Sequence, residues 1–460
     1  MTPSEKLNGI THVHFIGIYG ISVYSLAVIT ARLGYTVSGS DTGEGTALRR
    51  NALSEAGIRL YRSHSADSLP KNVPPSQITV VYTAAVTDAN PELTAARETG
   101  MRILSRAEYV ETLTCRIPLR IGVAGTHGKS TVCGMLARIF TEAGLDPDIL
   151  CGAELPSLGG AFRIGSGERI IYESCEYKNY FLKLNNTHAV VTNVEADHPD
   201  FFHGIEDVRA SFRKYTEKAA AVTVCIDGAE SRTLADTLGE KAVTCSVSDR
   251  RADYYADNVS AVMGRYSFDL VKRGNALCRI TLRVVGAHNL QNAVTAAATA
   301  LENGITPTDV RKGLESFTGV KRRMEYRGTL NGAVIYDDYA HHPTEIRATL
   351  TAARGMGFKK IYCAFQPHTY SRTAALFREF TASFYFADQV IFADIYAARE
   401  VNTYGVTSKA LTNATPNAIH IPTAEGIAEY FKSIAAPDIL LITMGAGELD
   451  RVADIIFNKR

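Results

Sequence analysis

Short apolar runs alternate with stretches whose apolar residues recur every three or four positions. That alternation predicts βαβ units and parallel sheets. In the first part VHFIGI (13–18) and YTVSGSD (35–41) read as strands flanking a helix over 21–33, and 78–86 and 101–104 as further strands. A second block opens where PLRIGVA runs into a Gly-rich turn. In the helix that follows, Val132, Met135, Leu136, Ile139, Phe140 and Ala143 share one face. RIIYES, HAVVTNV and AVTVCID supply strands, a β-rich stretch covers roughly 253–286, and a helix follows over 289–303. The third block begins near GVKRRMEY. RMEYRGTL and AVIYDDY flank Asn331-Gly332, a turn pair that predicts a β-hairpin. KKIYCAF, QVIFADI and DILLITMG then alternate with helical patterns. The reading is three α/β domains: 1–114, 115–319 and 320–460.

The 460 residues, 46% hydrophobic and 21% charged, suffice for three buried cores. A formal net charge of +1 removes the bulk electrostatic argument for nucleic-acid binding. None of the eight cysteines forms a C-x-x-C pair, so neither a zinc ribbon nor a thioredoxin-type site is suggested. Free cysteines in apolar runs fit a reducing compartment. No stretch of 18 apolar residues occurs, and MTPSEKLNG holds no apolar signal run, so a cytoplasmic protein without membrane insertion is expected.

The chemistry concentrates at Gly125-Thr126-His127-Gly128-Lys129-Ser130-Thr131, between a predicted strand and a helix. Glycines let the backbone wrap phosphate oxygens, and the helix start presents free N–H groups. Lys129 offers a charge to the β/γ-phosphates, and Ser130 a hydroxyl to Mg2+. The strict G-x-x-x-x-G-K-[ST] spacing fails, because Val123 stands five residues before Gly128. Glu173 and His198 lie at or just after apolar strands, at the edge where α/β sheets hold ligands. Asn289 reads as a helix N-cap. Gly17 and Gly20 follow the first strand without the third glycine of a dinucleotide fingerprint, and Asp41 ends the second.

The variant GTHGKS, together with NVEADHPD, GAHNLQNA, KRRMEY, DDYAHHP, QPHTYSR and MGAGE in this order, resembles the Mur ligase family along most of the chain. That resemblance implies a Rossmann-like N-terminal domain, a central P-loop ATPase-like domain with a mixed, mainly parallel sheet, and a Rossmann-like C-terminal domain. It implies an ATP-dependent amide ligase that joins L-alanine to the lactyl carboxylate of UDP-N-acetylmuramate through an acyl phosphate. The alternative within the family is attachment of a whole peptide to the same sugar nucleotide.

By the same resemblance Ser130, Glu173 and His198 hold Mg2+, or Mn2+ in its place, with Glu176 nearby. Lys129 and Arg323 serve catalysis. The nucleotide takes GTHGKST, His288, Asn289, Asn292, Arg323 and Asp338, with Asp337 beside it. The sugar nucleotide lies along Gly17, Gly20, Ser22, Asp41, Ser65, Thr83 and Ala84, with Gly159 and Gly160 reaching it from the second domain. Tyr339, His341, His342, His368 and Arg372 hold the amino acid. Tyr19, Tyr24 and Thr369 depart from the family pattern; either tyrosine, Tyr19 or Tyr24, stacks on uracil or packs on the helix. The implied assembly is a monomer or homodimer. An NAD-dependent oxidoreductase and a nucleotide switch are the readings from other classes, and the first leaves GTHGKS unexplained.

Overall fold

The computed structural model describes residues 7–83, 85–198, 201–398 and 400–458. Ala84 and the last two residues of NVEADHPD lie outside the described residues. Three sheets follow one another along the chain, each built around its own apolar strands.

The first comprises β1 (His12–Ile16), β2 (Thr36–Ser40), β3 (Arg59–Tyr61), β4 (Ile78–Tyr82) and β5 (Arg102–Ser105). Its order is 3-2-1-4-5 and every pairing is parallel. The order reverses at β1, so the loop leaving β1 opens onto a crevice. The strand expected over 78–86 stops at Tyr82.

The second sheet contains β6 (Leu119–Ala124), β7 (Asp148–Leu155), β8 (Gly160–Arg163), β9 (Arg169–Glu173), β10 (His188–Val191), β11 (Ala221–Cys225), β12 (Ala242–Ser246), β13 (Tyr254–Val262), β14 (Arg265–Lys272) and β15 (Asn275–Val285). Its order is 15-14-13-12-11-10-6-9-7-8, parallel in the middle with antiparallel pairs at both ends. β6 runs beside β10 and β9, so the segments leaving these three strands emerge side by side. The helix Lys129–Glu142 turns its predicted face inward, with Val132, Met135, Leu136, Ile139 and Phe140 fully buried; Ala143 is the partly exposed residue that ends it.

The third sheet is β16 (Glu325–Leu330), β17 (Ala333–Asp338), β18 (Lys360–Phe365), β19 (Gln389–Phe392), β20 (Ala418–His420) and β21 (Ile439–Met444), in the order 16-17-21-18-19-20. The expected Asn331-Gly332 turn joins β16 to β17, with φ of +48° and +87°, both in the left-handed region that suits such a hairpin. All eight cysteines are free. Among the described residues no helix is long and apolar enough to cross a membrane.

Candidate active site

Because β6, β9 and β10 are neighbours, three chemical segments meet at their carboxyl ends. The β6 segment is the glycine turn. Gly125 and Gly128 hold φ of +141° and +82°, and a Cβ on Gly128 would stand 2.5 Å from Asn292 Oδ1. The segment after β10 fastens this turn. Asn193 Oδ1 accepts the His127 N–H at 2.8 Å, and Thr126 Oγ1 accepts the Glu195 N–H at 2.9 Å. Lys129 Nζ donates to the carbonyls of Gly125 and Thr126 and to both carboxylate oxygens of Glu176, each of the latter at 3.1 Å. The carboxylate holds the ammonium at the mouth of the turn, where phosphate oxygens could take over its protons.

Glu173 ends β9. Its Oε1 accepts the Gly152 N–H at 2.7 Å. His198 holds φ of +55° and lies over Tyr177, ring centroids 4.7 Å apart. Burial pushes its imidazole below the ordinary value, aided by Lys129 and Arg372 and opposed by Asp197 and Glu176. A neutral imidazole keeps a lone pair for a metal ion. Ser130, Glu173 and His198 line one cavity of about 610 Å3 with Lys129 and Arg323. A hydroxyl, a carboxylate and a neutral imidazole around that space form a donor set into which hydrated Mg2+ fits.

A second cavity, about 350 Å3, runs from Gly128, Ser130 and Thr131 to His288, Asn289, Asn292, Arg323 and Asp338. Asn289 does not cap its helix. The helix starts at Ala287 behind Gly286, and the Asn289 amide instead donates to the Val285 carbonyl at 2.7 Å. A φ of +101° at Gly286 lets the chain turn into the helix two residues earlier than expected. His288 is half-buried with its Nδ1 closed off and without a hydrogen bond, and desolvation lowers it to about 4. Asp338 accepts the N–H groups of Met324 and Ala340 at 2.7 and 2.8 Å; burial, opposed by Arg323, raises it to about 6. Asp337 is drawn away to Thr443 and Arg322.

A third cavity, about 760 Å3, is walled by all three units: Gly20, Ser22 and Thr83 from the first, His198 from the second, His368 and Arg372 from the third. Arg372 meets Asp197 at 3.2 Å across the unit boundary. Burial pushes Asp197 up, yet Arg372 and His198 hold it well below the usual carboxylate range. His341 lies beside His368, centroids 6.2 Å apart, and Tyr339 stacks beneath the Arg323 guanidinium at 5.4 Å.

Other expected residues sit apart from these cavities. Asp41 spends its carboxylate on the Tyr19 and Gly43 N–H groups, bracing the Gly17–Gly20 loop. The Ser65 hydroxyl caps the short turn Ala66–Ser68. Gly159 and Gly160 join the end of β7 to β8, with Tyr24 near Gly160. Tyr24 itself is 1% exposed and packs edge-on to Phe162. Of the two readings its burial supports packing, and leaves no free face for uracil. Tyr19 presses against Gly45. His342 faces His127, centroids 5.1 Å apart, beside the nucleotide cavity.

Three acidic residues went unsingled in the sequence. Asp197 pairs with Arg372, and Glu195 receives the Thr344 hydroxyl at 3.0 Å. Glu345 gathers His127, Arg323 and the N–H groups of His341 and His342. Asp197 and Glu195 belong to NVEADHPD and Glu345 stands three residues after His342, so their motifs were visible while their partners were not.

Three α/β units meeting around one phosphate-binding turn define a nucleotide-dependent enzyme. The chain belongs to the Mur ligase family, whose catalytic domain matches residues 12–117, middle domain residues 123–300 and glutamate ligase domain residues 322–447. It is an ATP-dependent ligase. It is similar to the UDP-N-acetylmuramate–L-alanine ligases of Acetivibrio thermocellus (39% identity, covering 98% of this chain and 97% of the relative) and Agathobacter rectalis (40%, covering 97% and 98%). Among solved structures it is similar to the UDP-N-acetylmuramate-alanine ligase of Thermotoga maritima (26% identity, TM-score 0.83, covering 97% and 98%). It shares its fold with the murein peptide ligase of Psychrobacter arcticus (22% identity, TM-score 0.73, covering 97% and 98%).

Proposed function

We propose that this enzyme joins L-alanine to the lactyl carboxylate of UDP-N-acetylmuramate at the expense of ATP, in peptidoglycan precursor synthesis. The observation that carries the reading is that the cavity at the glycine turn and the cavity at Arg372 are each walled by all three units and share His198, so a triphosphate, a sugar nucleotide and an amino acid can meet there. Identities of 39–40% over nearly the whole chain favour L-alanine over a peptide as the acceptor.

We further propose the division 1–114, 115–319 and 320–460 for the sugar-nucleotide, ATP and amino-acid domains. The lactyl carboxylate attacks the γ-phosphorus, ADP departs, and the alanine amine displaces phosphate from the acyl phosphate. Lys129 leaves Glu176 to neutralise charge on the transferring group. Ser130, Glu173 and His198 would hold Mg2+ (or Mn2+), which supplies positive charge to the phosphoryl oxygens. Arg323 faces the phosphates across the closed cleft, while His288, Asn289, Asn292 and Asp338 frame the nucleoside. Arg372 exchanges Asp197 for the alanine carboxylate, beside His368, His341 and Tyr339. Gly17, Gly20, Ser22 and Thr83 cradle the sugar nucleotide, and Asp41 and Ser65 brace that edge. The protein acts in the cytoplasm as a monomer or homodimer.

The test is phosphate release from ATP with Mg2+ and UDP-N-acetylmuramate, comparing L-alanine, glycine, L-serine and L-Ala-γ-D-Glu-diaminopimelate. Release dependent on the sugar nucleotide and L-alanine together is expected. Preference for the tripeptide would move the reading to the peptide-attaching ligase.

A further inference from the structure

The ligase reaction leaves His127, Glu195 and His342 without a joint task. His127 belongs to the nucleotide turn, Glu195 follows β10, and His342 caps the helix Pro343–Arg354 of the third unit. One ligand atom from each lies within 4.8 Å of the other two. Among the described residues this is the one trio of His, Cys, Asp or Glu side chains so arranged. His127 Nε2 stands 3.5 Å from Glu195 Oε2. The Nε2 atoms of both histidines are closed off from solvent and make no hydrogen bond. The His342 nitrogen is left without a partner and the His127 nitrogen with only its ion pair to Glu195, a buried arrangement that is costly unless something else satisfies it.

The surroundings also suit a ligand. His127 Nδ1 faces Glu345 Oε1 at 3.1 Å. A carboxylate there holds the ring proton on Nδ1, the usual orientation of a metal-binding histidine. Against burial, Glu345 and Glu195 raise the metal-free imidazole to about 9, so a metal ion on Nε2 displaces the proton that faces Glu195. His342 Nδ1 accepts the Thr344 N–H at 3.3 Å, so coordination through its Nε2 moves the ring proton to Nδ1 and gives up that long bond. Two imidazoles and one carboxylate select a divalent transition metal over Mg2+, which keeps oxygen ligands and water.

We propose that His127, Glu195 and His342 form a Zn2+ site, separate from Ser130, Glu173 and His198, that ties the central unit to the C-terminal unit across the nucleotide cleft. Water fills the fourth position of a tetrahedral ion held by three side chains.

The test titrates Zn2+ into the metal-stripped full-length protein in excess Mg2+ by calorimetry, with Co2+ as a visible probe of tetrahedral coordination. One equivalent should bind and raise the thermal midpoint, since a ligand specific for the folded state stabilises it. Glu195→Gln and His342→Asn should each weaken binding by about 100-fold or more, and Glu345→Gln by about 10- to 100-fold. Asparagine retains a capping side chain, so loss of binding in His342→Asn, with an unchanged circular dichroism spectrum, reports coordination and not unfolding. Glu173→Gln should leave Zn2+ affinity within about twofold, because that carboxylate lies outside the trio. No saturable binding over Mg2+, equal affinity in Glu195→Gln and His342→Asn, or loss confined to Glu173→Gln would each overturn the proposal.

Discussion

At the residue scale, charge decides most outcomes. Lys129 gives its protons to two carbonyls and Glu176, so Lys129→Ala should abolish turnover while the protein stays folded. Normal phosphate release from that variant would remove the ATP-site assignment. Arg372 is 9% exposed and paired with Asp197. A charge-assisted bond to a substrate carboxylate contributes about 1.5–3 kcal/mol, so Arg372→Gln should raise the KM for L-alanine by about 10- to 100-fold. An unchanged KM would place the amino acid elsewhere. Asp338 supplies a pH signature. Burial lifts its folded value to about 6 from an ordinary 3.8, so between those limits the folded state binds more protons than the unfolded state. Its contribution to stability therefore falls as pH rises through that window, by at most about 3 kcal/mol. Asp338→Asn removes the titration and keeps an acceptor for one of the two N–H groups, at a pH-independent cost for the other. Without nucleotide, its urea midpoint should gain on the parent's between about pH 4 and pH 7; parallel curves would contradict the buried charge. Lys129, Glu173 and His198 were legible because each lies in or beside a motif at a strand end. Asp197 and Glu345 were not assignable to Arg372 and His127, since those contacts span 175 and 218 residues and exist only after the units close.

At the element scale, period and turn chemistry carried the long strands and the helices behind them. β3 and β20 have three residues each and β8 has four, too few for alternation to register. The hairpin between β16 and β17 was visible because one dipeptide demands one geometry. Gly332 has φ of +87°, and a Cβ would approach Pro437 Cγ to 2.8 Å. Gly332→Ala should therefore lower the urea midpoint by about 1–3 kcal/mol of stability, while leaving the KM for ATP unchanged because the turn lies outside the nucleotide cavity. A stability within error of the parent's would mean that the turn relaxes freely. The helix Ala287–Glu302 shows the opposite case. Asn289 has the chemistry of an N-cap, but the left-handed Gly286 starts the helix earlier and redirects the amide to the Val285 carbonyl.

At the scale of the whole molecule, closure of the third unit on the second rests on polar contacts that share few acceptors. Glu345 is the most heavily used: the His127 ring, the Arg323 guanidinium and two backbone N–H groups converge on one carboxylate. Against its burial, His341, His127 and Arg323 hold that carboxylate well below its ordinary value, so it stays ionised at neutral pH. Lys321–Glu154 and Arg372–Asp197 add ion pairs across the same boundary. Glutamine at 345 would leave Arg323 and His127 facing a neutral amide in a buried setting. Removing one partner of a buried charge cluster costs about 3–5 kcal/mol, and parting the units would hydrate both cations at once. The expected result for Glu345→Gln is therefore a larger ligand-free radius of gyration by small-angle scattering. Saturating ATP and Mg2+ should return it toward the parent value, because phosphates offer Arg323 another anion. An unchanged radius, with His127 and Arg323 still protected from solvent exchange, would show that apolar packing between the units holds the cleft closed without this carboxylate.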